Sequence, residues 1–232
     1  MNNYFILFKP KAIVSGDFYW ATVLENGNFA LVTADSTGHG VPGAIMSILN
    51  ITSLEKAVEK NVEPSDILNF TRKNIIERLK KDGSKEGGKD GMDCSLLSLD
   101  FKSNTLTYSA ANNPIWILRN SKENELYSKS EMLEFNADKM PVGKHDKDDI
   151  SFSQKTIALC KGDLIYTFTD GYADQFGGPK GKKFKYKQLQ DILLANANKT
   201  MDEQKIVLEN AIASWQGNLE QIDDVLVIGV RF

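Results

Sequence analysis

Ala34-Asp35-Ser36-Thr37-Gly38-His39-Gly40-Val41-Pro42-Gly43-Ala44 is the stretch around which this chain is organised. The apolar run before it, Phe-Ala-Leu-Val-Thr-Ala at residues 29–34, reads as a buried strand. Pro42 suits the first turn of a helix, and the apolar-rich segment 44–58 follows. Asp35 is therefore expected where a strand ends, with a tight glycine turn leading to a helix N-terminus. Such a turn exposes backbone N–H groups beside a carboxylate and a histidine. It can hold a cation or an anion, and with a cation in place a phosphate as well.

Upstream, residues 4–8 and 12–19 read as strands parted by Pro10. The second carries Ser15-Gly16-Asp17-Phe18-Tyr19-Trp20, in which a lone acid sits among apolar neighbours. Taken alone, Asp17 is equally a turn residue beside a glycine. Glu25-Asn26-Gly27-Asn28 is a hairpin turn, so the opening strands are expected to be antiparallel.

Downstream, Ala44, Ile48, Ile51, Leu54 and Val58 recur at spacings of three and four, widened by Ile45 and Leu49. That face is expected to lie on a sheet. Pro64 and Ser65 open a second helix, with Leu68, Ile75 and Leu79 inward and Arg72, Lys73, Arg78 and Lys80 on a solvated face. The polar loop at 82–91 holds Gly83, four residues, then Gly88-Lys89. It misses a nucleotide-binding loop because Asp90 replaces Ser or Thr and a helix precedes it.

Residues 92–101, 105–110 and 115–119 read as consecutive strands. Lys122, Glu123 and Glu125 are assigned to a polar loop, and 139–149 to another. Residues 150–159 alternate as a half-exposed strand. Residues 164–169 form a buried one that ends in Asp170-Gly171. The Gly- and Lys-rich segment 177–187 reads as a mobile loop. Helices are expected at 187–197 and 201–215, the latter opened by a capping box of Thr200 and Glu203. Asp223-Asp224 lead into a closing strand at 225–231.

The 232 residues suffice for one large domain, and no linker divides them. With 41% hydrophobic and 25% charged residues and a net charge of −3, nothing points to a nucleic-acid or membrane-surface partner. No apolar run reaches the roughly 18 residues of a membrane span. The opening residues lack a basic leader region, and a cytoplasmic location is expected. Cys94 and Cys160 both lie in apolar segments and read as buried free thiols of a reducing compartment. Neither opens the Cys-(five residues)-Arg loop of a thiol phosphatase.

Asp35, Asp170 and the Asp223/Asp224 pair thus each adjoin an apolar strand, and Asp17 lies inside one. Strand-end acids commonly cap turns. Several converging on one edge of a core would instead call for cations, because like charges repel strongly at low dielectric. Carboxylates with few histidines favour Mg²⁺ or Mn²⁺ over zinc. Two such ions about 3.5–4 Å apart are a standard device for hydrolysing phosphate esters.

The chain resembles the SpoIIE/RsbU-like branch of the metal-dependent PPM (PP2C-type) protein serine/threonine phosphatases. The resemblance is carried by Ser15–Trp20, by Asp35–Ala44, by Gly162-Asp163-Leu164 with Thr169-Asp170-Gly171, and by Gln221-Ile222-Asp223-Asp224. Their order and separation match across nearly the whole chain. The resemblance implies an α+β fold, an αββα sandwich of two antiparallel sheets flanked by helices. It also implies two Mn²⁺ or Mg²⁺ ions and direct attack of a metal-activated water on the phosphate. By motif, Asp35 would bridge the metals and the Ser36 carbonyl would ligate one. Asp170 and Asp223 would complete the site, with Asp224 as the alternative to Asp223 and Asp17 as a direct or water-mediated ligand. His39 becomes the candidate general acid; its other reading is a brace for the turn.

The Thr often found two residues after the last acid pair is missing. Asp90 or Asp93 is read either as a third-metal ligand or as an ordinary loop acid. Lys9 or Lys11 is the nearest counterpart to the family's phosphate-binding base. The implied substrate is a phosphorylated STAS-type anti-anti-sigma protein or a similar switch. The segment 177–187 is a contact for an acidic partner or simply a solvated loop. The first motif starts within the opening 20 residues, so residues 1–232 are expected to be the C-terminal output domain of a longer protein with an upstream sensor. The competing reading is a catalytically weak interaction or dimerisation module of the same fold.

Overall fold

The structure, a computed structural model, describes residues 3–80, 90–124 and 127–232. The near-miss glycine loop (Gly83, Gly88 and Lys89) and Glu125 lie outside the described residues. The first elements are β1 (Tyr4–Lys9), β2 (Asp17–Val23), β3 (Phe29–Ser36), α1 (Gly40–Val58) and α2 (Pro64–Leu79). Then come β4 (Gly91–Asp100), β5 (Thr105–Ala111), β6 (Ile115–Asn124), β7 (Tyr127–Phe135), β8 (Val142–Gly143) and β9 (Lys155–Ala158). The last are β10 (Leu164–Phe168), α3 (Gly171–Asp174), β11 (Phe176–Gly177), β12 (Lys182–Lys183), α4 (Tyr186–Ala195), α5 (Met201–Gln216) and β13 (Val225–Arg231). They fall into two compact units.

One unit comprises Ala12–Pro114 and Asn136–Leu159. Its antiparallel sheet has the order β2-β3-β4-β5-β9, with β8 paired to β4. Phe18, Val32, Ala34, Leu96 and Cys94 from the sheet join Leu54, Ala57, Ile67, Leu68 and Ile75 from α1 and α2 in its core. β2 begins at Asp17 rather than at residue 12, so Asp17 is a strand residue opposite Asp35. β9 occupies only the end of the segment expected to alternate. Upstream of it, the Asp138 carboxylate accepts bonds from the Ser153 amide at 2.7 Å and hydroxyl at 3.0 Å, which takes Ser153 out of any ladder.

Two expected faces are corrected here. The buried side of α1 is Gly43, Ser47, Asn50, Leu54 and Ala57, while Ile45 and Ile48 are 62% and 67% exposed. The glycine turn sets this rotation: Gly43 packs directly on Gly16 and Gly38, and positions at spacings of four and three from it then face inward. On α2, Arg72 is buried at 5% exposure instead of solvated. It donates to the Ile150 carbonyl at 2.7 Å and to Asn69 Oδ1 at 3.1 Å, and lies 4.7 Å over the Phe152 ring.

The other unit comprises Met1–Lys11, Ile115–Phe135 and Cys160–Phe232. Its antiparallel sheet has the order β1-β13-β10-β6-β7. Trp116, Tyr166, Phe168, Tyr172, Leu189 and Leu208 are among the side chains that fill its core. The expected polar loop after residue 119 is instead the continuation of β6, which pairs with β7 as far as Asn124↔Tyr127. Antiparallel pairing is a matter of backbone hydrogen bonds, so a polar sequence can carry it and hydrophobic patterning does not reveal it.

The segment expected as a mobile loop contains the β11–β12 pair. A Cβ on Gly177 or Gly178 would collide with Trp215, and the Gly178 amide donates to the Trp215 carbonyl at 2.7 Å. These glycines serve close packing rather than mobility. α5 starts with the capping box of Thr200 and Glu203. Both cysteines are free, but only Cys94 is buried; Cys160 is exposed. Burial pushes the Cys94 thiol well above its ordinary range, so it stays protonated. No helix among the described residues is long and apolar enough to cross a membrane.

Candidate functional site

Three carboxylates stand in a row across β2, β3 and β4. Asp35 pairs directly with Asp17 on one side and with Asp93 on the other. Residues directly opposite in adjacent strands project from the same face, with Cβ atoms about 4.5–5.5 Å apart. Asp93 is therefore a strand residue in the acidic row, which corrects its reading as a loop acid. Asp90 precedes the strand. Burial raises the Asp93 carboxyl above its ordinary value, and the bond donated by Asn112 Nδ2, at 2.8 Å, opposes that rise. Like charges opposed in a sheet destabilise it, and a bound cation offsets the repulsion.

The turn after Asp35 is built by close backbone contacts. Gly38 and Gly40 have φ of +88° and +63°, conformations that other residues rarely adopt. The Gly38 carbonyl is wedged between Gly16 and Gly43, and a Cβ on either would collide with it. The Ser36 amide donates to the Gly16 carbonyl at 3.2 Å, and the Thr37 amide donates to the Gly91 carbonyl at 3.0 Å. Beneath the turn, Asn50 Nδ2 donates to Ser36 Oγ at 3.0 Å, and Ser47 Oγ donates to the Gly16 carbonyl at 2.6 Å. The polar side of α1 thus anchors the strand end that carries Asp35. His39 occupies the N-cap position of α1 in extended conformation; it is exposed and its side chain does not cap the helix.

A second acidic group lies on the other unit. Asp170 occupies the N-cap position of α3. A Cβ on Gly171 would collide with the Asp224 carbonyl and touch Asp223, so Gly171 lets the two segments close together. Asp224 is 2% exposed and accepts a bond from the Lys11 amide at 2.7 Å. Asp223 is half-buried, and its Oδ1 accepts from the Asp224 amide at 2.9 Å. Lys9 and Lys11 are exposed, and Lys9 Nζ lies 3.3 Å from Gln216 Oε1.

Asp163, from the quoted Gly162-Asp163-Leu164 motif, is a structural residue. It is 1% exposed and pairs with Arg119 through Nη2 at 2.6 Å and Nε at 3.0 Å. It also accepts a bond from the Cys160 amide at 2.9 Å.

Among the described residues, no three His, Cys, Asp or Glu side chains form a self-sufficient metal cage. The donors are carboxylates and backbone carbonyls, which suit hard cations. Mg²⁺ in particular binds through one or two carboxylates and keeps several waters rather than requiring an all-protein cage. The residues fit such an ion. Sequence reasoning did not place Asp93 in this row because its position depends on the register of β3 with β4. Its offset from the buried Cys94, which pairs with Ala34, was the available signal.

A family model described as Stage II sporulation protein E (SpoIIE) matches residues 25–232. Among curated proteins, protein IcfG of Synechocystis sp. is 25% identical over 246 residues, covering 97% of this chain and 37% of IcfG. The chain thus spans little more than a third of that relative. Among solved structures, the SiaA-PP2C domain of Pseudomonas aeruginosa matches with a TM-score of 0.84 at 28% identity, over 99% of this chain and 86% of that one. A structure of RsbX in complex with magnesium matches with a TM-score of 0.63 at 17% identity, over 99% and 94%. The architecture is that of PP2C-type domains, an α+β fold with two antiparallel sheets and flanking helices.

Proposed function

This chain belongs to the SpoIIE family, in the RsbU-like branch of PP2C-type phosphatases, and from that premise we propose that it hydrolyses phosphoserine or phosphothreonine esters of a protein. The observation that carries the reading is the acidic row of Asp17, Asp35 and Asp93 beside a glycine turn at a helix N-terminus. Two divalent cations, Mn²⁺ or Mg²⁺, would neutralise the phosphoryl oxygens and supply an acidified water. The magnesium in the RsbX structure supports that class of ion. Asp35 and Asp17, the Ser36 carbonyl, Asp170 and Asp223 are the proposed ligands. Asp224, buried and engaged with Lys11, is assigned to holding its neighbour in place.

The chain's own groups have separate tasks. The polar side of α1 fixes the strand end, so the Asp35 carboxylate needs little reorganisation during reaction. The first-turn amides of α1 favour an anion near the turn. A serine or threonine alkoxide is a poor leaving group, and His39 is proposed to give it a proton. Its exposed, extended N-cap position allows access to a protein substrate.

We assign the chain to the output end of a longer signalling protein, with a phosphorylated STAS-like switch protein as substrate. The limited coverage of IcfG supports the first part. The second reading, an interaction module with weak catalysis, draws on the exposed Val41, Ile45 and Ile48 along α1. Hydrolysis of p-nitrophenyl phosphate with and without Mn²⁺ tests between them. Turnover in the presence of metal supports the phosphatase, and its absence together with no Mn²⁺ binding by calorimetry supports the module.

A further inference from the structure

The pairing of β10 with β13 runs in register as far as Phe168↔Val227, and Thr169 and Leu226 would form the next pair. The Thr169 amide donates to the Leu226 carbonyl at 3.0 Å, as an antiparallel ladder requires. The return bond goes elsewhere. The Leu226 amide donates to Thr169 Oγ1 at 3.1 Å, and that hydroxyl lies 3.4 Å from the Leu226 carbonyl. Both residues are buried, at 1% and 0% exposure, so water does not compete for these groups. The Thr169 hydroxyl thus takes the place of its own carbonyl in the sheet, a side-chain substitution that ends a ladder.

Where the strand ends decides where Asp170 goes. Alternate residues of a strand share a face. Leu164, Tyr166 and Phe168 all join the apolar core of this unit, with Trp116, Tyr172 and Leu189. A strand continued through residue 170 would send the Asp170 carboxylate to that same face, where an unpaired charge is costly. Asp170 instead has φ −76° and ψ −21°, right-handed helical backbone, and its carbonyl accepts the Asp174 amide at 2.9 Å. Gly171 then lies against the Asp223-Asp224 segment. Without the hydroxyl, ordinary pairing offers the buried Leu226 amide the carbonyl of residue 169. Taking that bond would lengthen β10 and draw residue 170 toward extended backbone.

We propose that Thr169 is a positioning residue for Asp170, its hydroxyl ending β10 so that the acid turns toward Asp223 rather than into the core. This rests on the reading of Asp170 and Asp223 as ligands of a divalent cation, and adds to it a side chain outside the ligand set. Every group involved belongs to one unit. Removing a supporting partner behind a metal ligand typically costs about 10- to 100-fold in metal affinity.

The test compares Thr169→Val, which keeps the shape and removes the hydroxyl, with Thr169→Ser, which keeps the hydroxyl, in the whole chain. Backbone ¹³C shifts recorded in EDTA report the conformation of residue 170, and Mn²⁺ affinity is measured by calorimetry. Thr71→Val is the control: Thr71 is also buried, and its hydroxyl donates to the Ile67 carbonyl of its own helix at 2.7 Å. Parent, Thr71→Val and Thr169→Ser are expected to keep helical shifts at Asp170 and a common Mn²⁺ affinity. Thr169→Val is expected to lose the helical shifts and to bind Mn²⁺ at least about tenfold more weakly. Should Thr169→Val not fold, Thr169→Cys, whose thiol is a weak acceptor, replaces it. Unchanged shifts or unchanged affinity in Thr169→Val would overturn the inference. So would Thr169→Ser binding as weakly as Thr169→Val, or an equal loss in Thr71→Val. A parent that binds no Mn²⁺ would overturn the metal reading instead, with the shifts in EDTA still deciding whether Thr169 places Asp170.

Discussion

Asp35 on β3 stands directly opposite Asp17 on β2, and its neighbour on the other flank is Asp93 on β4. Three carboxylates in register on one sheet face repel in the absence of a cation. Removing the outer charge while keeping its shape tests this. Asp93→Asn preserves an acceptor for Asn112 and is expected to raise the melting temperature of the metal-free chain at neutral pH. For a chain of this size each ~1 kcal/mol corresponds to about 2–4 °C. Scanning calorimetry in EDTA and in Mn²⁺ should show the parent gaining more from metal than the variant. Equal gains would separate Asp93 from the cation site.

Gly171 ties the other acidic group together, and a Cβ there would press into the Asp224 carbonyl. Gly171→Ala is expected to push the Asp170 segment from the Asp223 segment by a fraction of an ångström or more. Displacements on the order of 1 Å at a reacting centre cost about a hundredfold in rate. Turnover of p-nitrophenyl phosphate should fall by about that factor while the far-ultraviolet circular dichroism is retained.

The Arg119–Asp163 pair is expected to matter for stability and not for catalysis. Asp163→Asn leaves Arg119 facing a neutral partner in a largely buried setting. Arg119 keeps 30% side-chain exposure and regains some water, so the cost is placed near the lower end for broken pairs, about 2 kcal/mol. Urea unfolding should report that loss with an unchanged slope, and the rate per folded molecule should stay the same.

Glu203 supplies a pH signature. Bonds from the Thr200 amide and hydroxyl hold its carboxyl below the ordinary value in the folded state. A depressed folded pKa gives stability that is present above the unfolded value, about 4.3, and lost as pH falls through the folded one. The parent should therefore melt above Glu203→Ala at pH 7, and the gap should close on acidification below about pH 4. A gap independent of pH would assign the effect to helix propensity alone.

Much of this arrangement was legible in the chain. β1, β3, β10 and β13 are carried by apolar runs that a buried strand requires, and α5 announces itself through its capping box. The glycine turn was readable because Gly38 and Gly40 permit a positive φ and Pro42 suits the first turn of a helix. What stayed hidden depends on tertiary contact. The rotation of α1 follows from Gly43 packing on Gly16 and Gly38, and it exposes Ile45 and Ile48 that periodicity alone would bury. The end of β6 is polar in sequence, and its pairing with β7 follows from the register of the two strands. Arg72 was read as solvated because nothing local foretells the Ile150 carbonyl that receives it.

Asp35 and Asp170, each at a strand end, are proposed to work through divalent metal on a phosphate ester. The most direct measurement is p-nitrophenyl phosphate hydrolysis by the purified chain with and without Mn²⁺, beside Asp35→Ala and Asp170→Ala. Metal-dependent turnover is expected in the parent and its loss in both variants, with Mn²⁺ affinity reduced by calorimetry. Turnover that ignores metal, or that survives both substitutions, would contradict it.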